Sequence, residues 1–505
     1  MIRLSHRILA AATALTVLSA GAPALAAEAA EPAAQPEAAV TTAAPAAISV
    51  QLDGENLTFT DAAPQVQEER TFLPFRAVFE AMGAVVDYDA ETNQVSATRD
   101  DTTVVMTLGS TEATVTTGDT TATLAMDVAP YAAENRTYVP VRFAAQAFGC
   151  AVGWDQDDST VILVDTQKLL DEVMADYTFT YLEKYAAYNE QFSTGNWAMT
   201  MDFDAALTLL GMGPATVEGA MEGITAGAAQ MEASMNLKMD LKALVDGFVG
   251  LMTDGTEAEG AVDEAAQAEA DALLEALKTD GIDMEFRGDL EDGLFYFLLS
   301  GDLLADAGIP ADTWISMDLG SMYEQMGMDY TALLDASKTM DADVLLQIML
   351  SSVTLDDKDS DYAFLSALVD GVAKFLSDES FERDGGNYTT SYTFAQDGVT
   401  AAVSFTLLMD GDAVVGYDIT MDFGIEASAD GTVAASSVSM QAGMDADNNM
   451  SATMTMDMDS LLDMSINMTG SYAATEETPE LTPPEGAAVI SYEELLADAA
   501  SEAAA

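Results

Sequence analysis

A 66-residue repeat constrains the fold of this chain more than any other feature of its sequence. The segment RTFLPFRAVFEAMGAVVDYD, residues 70–89, returns as RTYVPVRFAAQAFGCAVGWD, residues 136–155. The match extends upstream, because DAAP at residues 61–64 is matched by DVAP at residues 127–130. Each copy therefore spans nearly the whole unit, and the repeat defines a module.

The local pattern of the module predicts a short helix between two strand-forming segments. Pro74 has the fixed φ and the missing N–H that suit a first helical position, and Gly83 can take the left-handed conformation that ends a helix. Val78, Phe79 and Met82 would form the apolar face of that helix. Strands are predicted on both sides: a hairpin around Asp53-Gly54 before it, and AVVDYD, a polar turn and QVSAT after it. At the 66-residue offset the following positions are identical: Arg70/Arg136, Thr71/Thr137, Pro74/Pro140, Arg76/Arg142, Ala81/Ala147, Gly83/Gly149, Val86/Val152, Asp89/Asp155 and Val95/Val161.

This pattern resembles a known family. Arg-Thr, two apolar residues, Pro and Arg, followed by a short helix ending in Gly and an aromatic-Asp strand, is similar to the copper amine oxidase N-terminal-like domain, also called the stalk domain. Residues 48–165 correspond to its full length. The resemblance implies an extracytoplasmic α+β module that positions or attaches its neighbour and that occurs in many exported bacterial proteins without any oxidase.

The N-terminus has the pattern of a signal peptide over residues 1–26. Arg3 and Arg7 form a basic start, residues 8–18 are apolar, and the ALA at residues 24–26 suits signal peptidase. Residues 27–46 are rich in Ala, Pro and Glu, so we expect a disordered linker. No later segment has the ~20 apolar residues of a spanning helix. We therefore expect an extracytoplasmic protein, secreted or non-covalently associated with the cell surface.

The acidic composition excludes one class of partner. The chain has 17 basic and 86 acidic residues, and loss of residues 1–26 removes two Arg and no acid, which leaves 15 basic residues and a net charge of −71. Such a charge opposes nucleic acid, whose binding depends on Lys and Arg releasing counterions. It disfavours anionic lipid headgroups for the same reason. We interpret the acids as a source of solubility rather than as weak cation sites.

Catalytic chemistry is restricted by two residue types. The only His is His6, within the predicted signal peptide, and the only Cys is Cys150. Without His the mature chain cannot form a Ser-His-Asp or Cys-His triad, and it lacks both the His-rich copper site of an amine oxidase and the commonest ligand of catalytic zinc. Cys150 aligns with Ala84, so we expect a small buried residue. We predict no catalytic, cofactor-binding or metal-binding residues, and no cofactor.

The rest of the chain predicts a second, larger domain. Residues 166–194 have a helical pattern and are expected to form a connecting helix. From Trp197 onward apolar and polar residues alternate, which is typical of an antiparallel sheet solvated on one side. We predict that residues 195–475 form one α+β domain, a long curved meander covered by helices. Helices are predicted at residues 263–278, 323–336, 344–353 and 362–376.

Two further features complete the domain assignment. The predicted sheet resembles the curved-sheet lipoproteins of the lipoprotein-localisation and lipid-carrier fold, which implies an apolar cavity with a helical lid. Residues 476–505 are predicted to be a linker and a short C-terminal helix capped by Ser491. The fold class predicted for the whole chain is α+β, with a duplicated strand and short-helix module before the larger sheet.

Three groups of residues could suggest binding sites. Met454, Met456 and Met458 share one strand face and could bind Cu(I), but Met recurs in nearly every predicted strand, so we interpret them as core. The triplet Asp357, Asp359 and Asp361 has calcium-loop spacing but lacks the Gly and the last acid of such a loop, so a surface turn is expected. Arg76 and Arg142 are expected to form ion pairs with acids such as Glu80 or Asp89.

These observations predict a non-enzymatic, exported cell-envelope or secreted protein that acts in binding or attachment through the stalk-like domain. Its partner would be an envelope component or an apolar small molecule. Two alternatives remain open. One is a carrier that holds an apolar, lipid-like ligand in the curved sheet, and the other is a hydrolase that uses carboxylates alone.

Overall fold

The computed structural model describes residues 48–67, 70–118, 120–146, 148–227, 229–253, 264–300, 313–325, 330, 346, 350, 354–396, 398–427, 434–459 and 461–495. The predicted signal peptide and linker, and most of the helices predicted at 323–336 and 344–353, lie outside these residues. The chain divides into two compact units. The first contains Ala24–Thr178 and Ala342–Lys374, and the second contains Phe179–Asp341 and Phe375–Ala505.

Up to residue 178 the chain forms thirteen strands and three helices within the described residues. They are β1 (Ser49–Leu52), β2 (Glu55–Asn56), β3 (Gln65–Gln67), β4 (Arg70–Pro74), α1 (Phe75–Ala81), β5 (Val85–Asp89), β6 (Gln94–Arg99), β7 (Thr102–Thr107), β8 (Glu112–Thr117), β9 (Thr120–Ala125), β10 (Tyr131–Ala133), β11 (Arg136–Pro140), α2 (Val141–Gln146), β12 (Cys150–Asp155), β13 (Thr160–Asp165) and α3 (Thr166–Met174).

After residue 178 the described elements are mostly long strands. They are α4 (Thr180–Thr194), β14 (Asn196–Leu209), β15 (Met212–Ala226), β16 (Gln230–Asp240), α5 (Lys242–Thr253), α6 (Glu264–Thr279), β17 (Ile282–Asp289), β18 (Leu294–Ser300), β19 (Thr313–Asp318), α7 (Leu319–Gln325), α8 (Asp361–Leu376), β20 (Glu382–Asp384), β21 (Asn387–Gln396), β22 (Val399–Asp410), β23 (Ala413–Ile425), β24 (Ser436–Met444), β25 (Asn449–Met458), β26 (Leu462–Ala474) and β27 (Ala488–Ser491). No helix in the described part of the chain is long and apolar enough to cross a membrane.

The two copies of the repeat meet in a small central sheet of the first unit. Its strand order is β10-β11-β4-β3, and β4 and β11 are antiparallel, with Leu73 opposite Val139. These two residues are 66 positions apart in the sequence, so they are equivalent in the two copies. The copies are therefore related by a local pseudo-twofold axis between Leu73 and Val139.

The outer sheets of the first unit combine strands from both copies. One sheet has the order β12-β13-β1-β2, in which β1 of the first copy pairs in parallel with β13 of the second. The other sheet is β5-β6-β7-β8-β9. Because each copy completes a sheet of the other, neither copy forms a separate domain.

The short helix of the first copy packs as the sequence predicts. Val78 and Phe79 are fully buried and Met82 is 5% exposed, within a core that includes residues of both copies. Gly83 and its equivalent Gly149 have φ values of +85° and +67°, the left-handed conformation that favours glycine at a helix end. Pro74 differs from the prediction by one residue: it ends β4 and is the N-cap of α1 instead of the first helical residue.

The second unit contains a 14-stranded sheet within the described residues. Its order is β20-β21-β22-β23-β24-β25-β26-β14-β15-β16-β17-β18-β19-β27, and these pairings are antiparallel except that of β19 with β27. The alternating pattern of the sequence predicts the antiparallel pairing correctly. The strand order is not the single meander that was expected, because β26 and β14 are neighbours in the sheet although they are distant in the sequence. The first strand of the unit, β14, pairs with β26 near the end of the chain and with its successor β15.

The region from 166 to 194 forms two helices instead of the one that was predicted. The helix α3 begins after Asp165, whose side chain accepts a hydrogen bond from the backbone N–H of Lys168, and ends at Met174. A new helix, α4, starts at Thr180, where the backbone N–H of Tyr181 donates to Asp378 Oδ1 at 3.1 Å. This external carboxylate satisfies a first-turn donor of α4 and so supports a separate helix start.

The C-terminal segment is more ordered than a linker. The guanidinium of Arg287, 8% exposed, donates to Glu480 Oε2 at 2.5 Å and to the carbonyl of Thr482 at 2.9 Å. The chain then adds β27 to the edge of the sheet. The predicted Ser491 cap is confirmed, since Ser491 Oγ accepts from the N–H of Glu494, whose carboxylate accepts in turn from the N–H of Ser491.

The predicted helical cover of the sheet is present only in part among the described residues. The helix α4 packs on β23, and α5 and α6 pack on β15 and β16. The helix α8, predicted to help cover the sheet, belongs to the first unit up to Lys374. There the Tyr362 ring lies so close to Gly54 that a Cβ at this glycine would be 2.8 Å from Tyr362 Cδ1, so a side chain at position 54 would collide with the ring.

Candidate functional site

The arginines of the repeat form reciprocal ion pairs across the pseudo-twofold axis. Arg70 Nε donates to Asp127 Oδ2 at 2.6 Å, and the equivalent Arg136 Nη2 lies 3.4 Å from Asp61 Oδ2. Each Arg therefore binds the acid of the other copy. The side chains of the Arg70 pair are about half exposed, so these pairs orient the copies more than they stabilise them.

The second arginine of the repeat, Arg76 in the first copy and Arg142 in the second, differs between the copies in its ion pairing. Arg76 pairs with Glu80 at 3.2 Å, as predicted. Its equivalent Arg142 has no ion pair among the described residues, because the position equivalent to Glu80 is Gln146. Neither arginine lies in a cavity described for the first unit.

A buried ion pair between the copies was not predicted from the sequence. Arg99 Nη1 donates to Asp165 Oδ2 at 2.5 Å, and the Asp165 side chain is only 6% exposed. Arg99, at the end of β6, also donates to the carbonyl oxygens of Met82 and Phe148. These two residues follow α1 and α2, so Arg99 links the ends of both helices to β6. The two partners are 66 residues apart, and an Arg facing an Asp at equivalent positions of a repeat is the signal that could have predicted the pair.

Cys150 and the triplet Asp357, Asp359 and Asp361 have structural contacts. Cys150 is 6% exposed, and burial together with the nearby Asp165 carboxylate raises the pKa of its thiol to about 12. Asp361 Oδ2 accepts the backbone N–H groups of Asp356 and Asp357 at 2.6 and 2.8 Å. The segment is thus the turn that the sequence favours, with Asp359 exposed at its surface, but Asp361 is buried at 1% exposure. The described residues contain no group of three or more His, Cys, Asp or Glu side chains placed to hold a metal ion.

Several carboxyl groups have shifted pKa values. In the described residues, every carboxyl whose pKa clearly departs from its ordinary value has a lowered pKa. The group consists of Asp89, Asp155, Asp240, Asp271, Asp318 and Asp445. For Asp445 the causes are hydrogen bonds from the side chain and the backbone of Asn449. A general acid at neutral pH needs the opposite shift.

One face of the large sheet is rich in methionine and incompletely covered. We define the methionine face by the half-buried side chains of β24, β25 and β26 that point to the same side of the sheet. They are Val438, Met440, Met454, Met456, Met464, Ile466 and Met468. Met440 lies opposite Met454, and Met456 lies opposite Met464. Met458, at the end of the strand, is 37% exposed.

An aromatic cluster closes one end of the same side of the sheet. Tyr185 on α4 is fully buried and meets the Tyr417 ring edge-on, with centroids 5.3 Å apart. Tyr188 and Tyr472 are each 8% exposed, and their hydroxyls have no hydrogen-bond partner among the described residues. Burial raises the pKa of Tyr472 to about 12. The aromatic end is therefore packed and uncharged, unlike the methionine face beside it.

Comparison with known proteins gives one family match. The model of the copper amine oxidase N-terminal domain matches residues 51–163. No curated protein matches the chain.

Solved structures give only remote similarity. A five-site mutant of the porin of Rhodopseudomonas blastica is 6% identical over 55% of this chain and 99% of its own, with a TM-score of 0.13. The β domain of the Bordetella autotransporter BrkA is 6% identical over 56% of this chain and 100% of its own, with a TM-score of 0.12. Similarities this low carry no argument about fold or function. The family match confirms the resemblance drawn from the repeat: residues 51–163 of this chain match the copper amine oxidase N-terminal domain.

Proposed function

We propose that this is a non-enzymatic, extracytoplasmic binding protein that uses its copper amine oxidase N-terminal domain for attachment and the methionine face of its large sheet to take up an apolar ligand. The attachment role is the one implied by the stalk-domain family. The observation that carries the binding role is the methionine face, whose side chains are all partly exposed. Contiguous exposed apolar surface of this kind marks interaction sites in soluble proteins.

The methionine face suits an apolar ligand of variable shape. Methionine side chains are unbranched and polarizable, so they adapt to different apolar partners. Burying each of them more fully would add about 1 kcal/mol, as part of the roughly 1.5–3 kcal/mol for complete burial of such a side chain. The binding energy would therefore come from several side chains together. This supports the carrier alternative over a face that is already filled by helices.

The hydrolase alternative has no observation in its favour. Cleavage of a glycosidic bond by two carboxylates requires one of them to remain protonated near neutral pH. The lowered pKa values of Asp89, Asp240 and Asp445 suit structural carboxylates instead. We expect no hydrolysis of a panel of polysaccharides, and no peroxide release from simple amines by the copper-treated protein. Sustained turnover in either assay would contradict the proposal.

A single substitution tests the binding role. Met456→Asp places a charge in the centre of the methionine face, and we expect it to weaken binding of the neutral dye Nile red at least about tenfold, because a buried carboxylate opposes an apolar ligand. We expect the melting transition to change little, since Met456 is only half buried. Dye fluorescence and calorimetry on the same sample provide both measurements.

Thr455→Asp is the matched control for this experiment. Thr455 is the adjacent residue of β25, is exposed, and points to the other side of the sheet. It carries the same change in charge, so we expect Nile red binding to be preserved. Equal loss in both variants, or a large loss of stability with Met456→Asp and retained dye binding, would show that the methionine face is structural core. Native mass spectrometry of freshly purified protein would reveal a co-purified apolar molecule.

A further inference from the structure

The side of the large sheet opposite the methionine face contains a groove. It crosses six neighbouring strands, from β22 through β23, β24, β25 and β26 to β14, and has a volume of about 840 Å³. Small-molecule sites typically have about 300–1,000 Å³. All of the groove lies within the second unit.

The floor of the groove is a single row of residues across the strands. The ladder partners follow one another without interruption: Thr406, Asp418, Gly443, Ser451, Thr469 and Asp202. Side chains alternate along a strand, so this row and the methionine face point to opposite sides. Neighbouring strands are about 4.8 Å apart, so the row extends for roughly 24 Å. The distance between neighbouring strands, about 4.8 Å, is close to the length of one hexose unit.

The charge of the groove excludes anionic ligands. Among the described residues its charged lining consists of Asp202, Asp418 and Asp445, and no Lys or Arg contributes to it. Its apolar lining residues are Leu408, Tyr417, Met444 and Met450, and two of them, Tyr417 and Met444, are each 4% exposed. The lining therefore offers hydrogen-bonding groups together with some apolar surface. A ligand that fits it has polar groups and no negative charge.

The hydrogen bonds within the groove favour a neutral ligand over a polycation. Asp418 Oδ2 already accepts from Gln441 Nε2 at 3.0 Å, and Asp445 accepts from both the side chain and the backbone of Asn449. From the centre of the row to its β14 end, the side chains of Ser451, Thr469 and Asp202 have no hydrogen bond within the described residues. One uncommitted carboxylate beside two hydroxyls matches the hydroxyl groups of a sugar better than a row of positive charges.

Gly443 lies in the middle of this row. A Cβ there would lie 2.7 Å from the carbonyl oxygen of Tyr417 and 3.2 Å from Asp418 Oδ2, so no larger residue fits without displacement. This close approach of the neighbouring strand accounts for a glycine inside β24, and it leaves no side chain above the row at this position. We infer that the groove binds a neutral polysaccharide, which lies along the row with its hydroxyl groups directed at Ser451, Thr469 and Asp202.

Affinity electrophoresis tests this inference with the full chain. Native gels would contain mixed-linkage β-glucan, xylan or galactomannan, with anionic polygalacturonate as the negative control. We expect at least one neutral polysaccharide to retard the protein and polygalacturonate to have no effect. Retardation by none of the neutral polymers, or equal retardation by polygalacturonate, would overturn the inference.

Three variants locate the binding in the groove. Ser451→Trp fills the centre of the row and should abolish retardation, whereas Thr453→Trp, on the same side of β25 but in the next row, should retain it. Asp202→Asn preserves the shape and should weaken binding about tenfold, the effect of losing one hydrogen bond to a charged group. Equal behaviour of the two Trp variants would contradict the assignment. Nile red binding concerns the other side of the sheet and should be unchanged by all three substitutions, so the two proposals fail independently.

Discussion

The two units of this protein differ in how completely they bury their apolar side chains. In the first, the two copies of the repeat exchange strands around a closed core, and residues such as Leu73, Phe79 and Val139 are fully buried. In the second, the sheet has a solvated side and a methionine face that remains half exposed. The proposed binding role rests on this difference, because a contiguous, partly exposed apolar face is the kind of surface that partners use.

Core truncation in the two units should show the largest contrast. Phe79→Ala in the first unit is expected to cost about 3–5 kcal/mol, because it leaves a cavity at a fully buried site. Met456→Ala in the second should cost less, about 2 kcal/mol, since part of that side chain is exposed. Calorimetry that resolves both units would measure the two losses. Similar costs at the two positions would remove the distinction between a closed core and an open face.

The buried ion pair provides a second, smaller test of the closed core. Arg99→Met leaves Asp165 without its partner, and we expect a loss of about 3 kcal/mol, at the low end for a broken buried pair because Arg99 is 19% exposed. The double variant Arg99→Met with Asp165→Leu should recover part of this loss, although Asp165 also caps α3. Denaturant titration of the single and double variants would measure it. A negligible cost for Arg99→Met would show that the two copies do not depend on this pair.

Acidic pH should destabilise the second unit by weakening the ion pairs of the helices that pack on its sheet. Hydrogen bonds from Lys278 and Lys242 lower the pKa values of Asp240 and Asp271, which link α5 and α6 to each other and to β16. Groups with a lowered pKa stabilise the fold above their ordinary value near 3.8, and this stability is lost as the pH falls below it. From pH 7 to about 4.5 the repulsion among the acids should decrease, so the melting temperature should first rise.

Hydrogen exchange across α5 and α6 would follow this transition. Protection of the two helices should fall below pH 3.8 before protection of the first unit does. Added NaCl should reproduce the rise in melting temperature at pH 7, because salt screens the same repulsion. A stability that stays flat between about pH 7 and 4.5, and does not respond to NaCl, would contradict this account of the charge.

The sequence predicts local structure well because local patterns determine it. The 66-residue offset locates the helix around Phe79, the hairpin at Asp53-Gly54 and the exposed pair of Arg76 with Glu80. Whether two copies pack side by side or exchange strands depends on tertiary contacts, so the reciprocal pairing of Arg70 with Asp127 could not be predicted in the same way.

The candidate sites also depend on tertiary contacts that the sequence patterns do not reveal. The alternation in β25 predicts that Met454 and Met456 share a face, but how much of that face is covered depends on helices distant in sequence. The groove requires the register of six strands together with a glycine at position 443, and no motif encodes that combination. The strand β27 was missed because it has only four residues and because its place depends on Arg287, some two hundred positions earlier.

The pairing of β14 with β26 has a consequence for how the protein reaches its native state. It joins Trp197 to Ala474, so the large sheet cannot be completed until nearly the whole chain is present. The first unit forms its central ladder over only 66 residues. Chains dominated by distant contacts fold slowly, and domains near the N-terminus form first during synthesis. The second unit therefore has a longer period with unpaired strand edges, in which its many acidic residues would keep separate chains from associating.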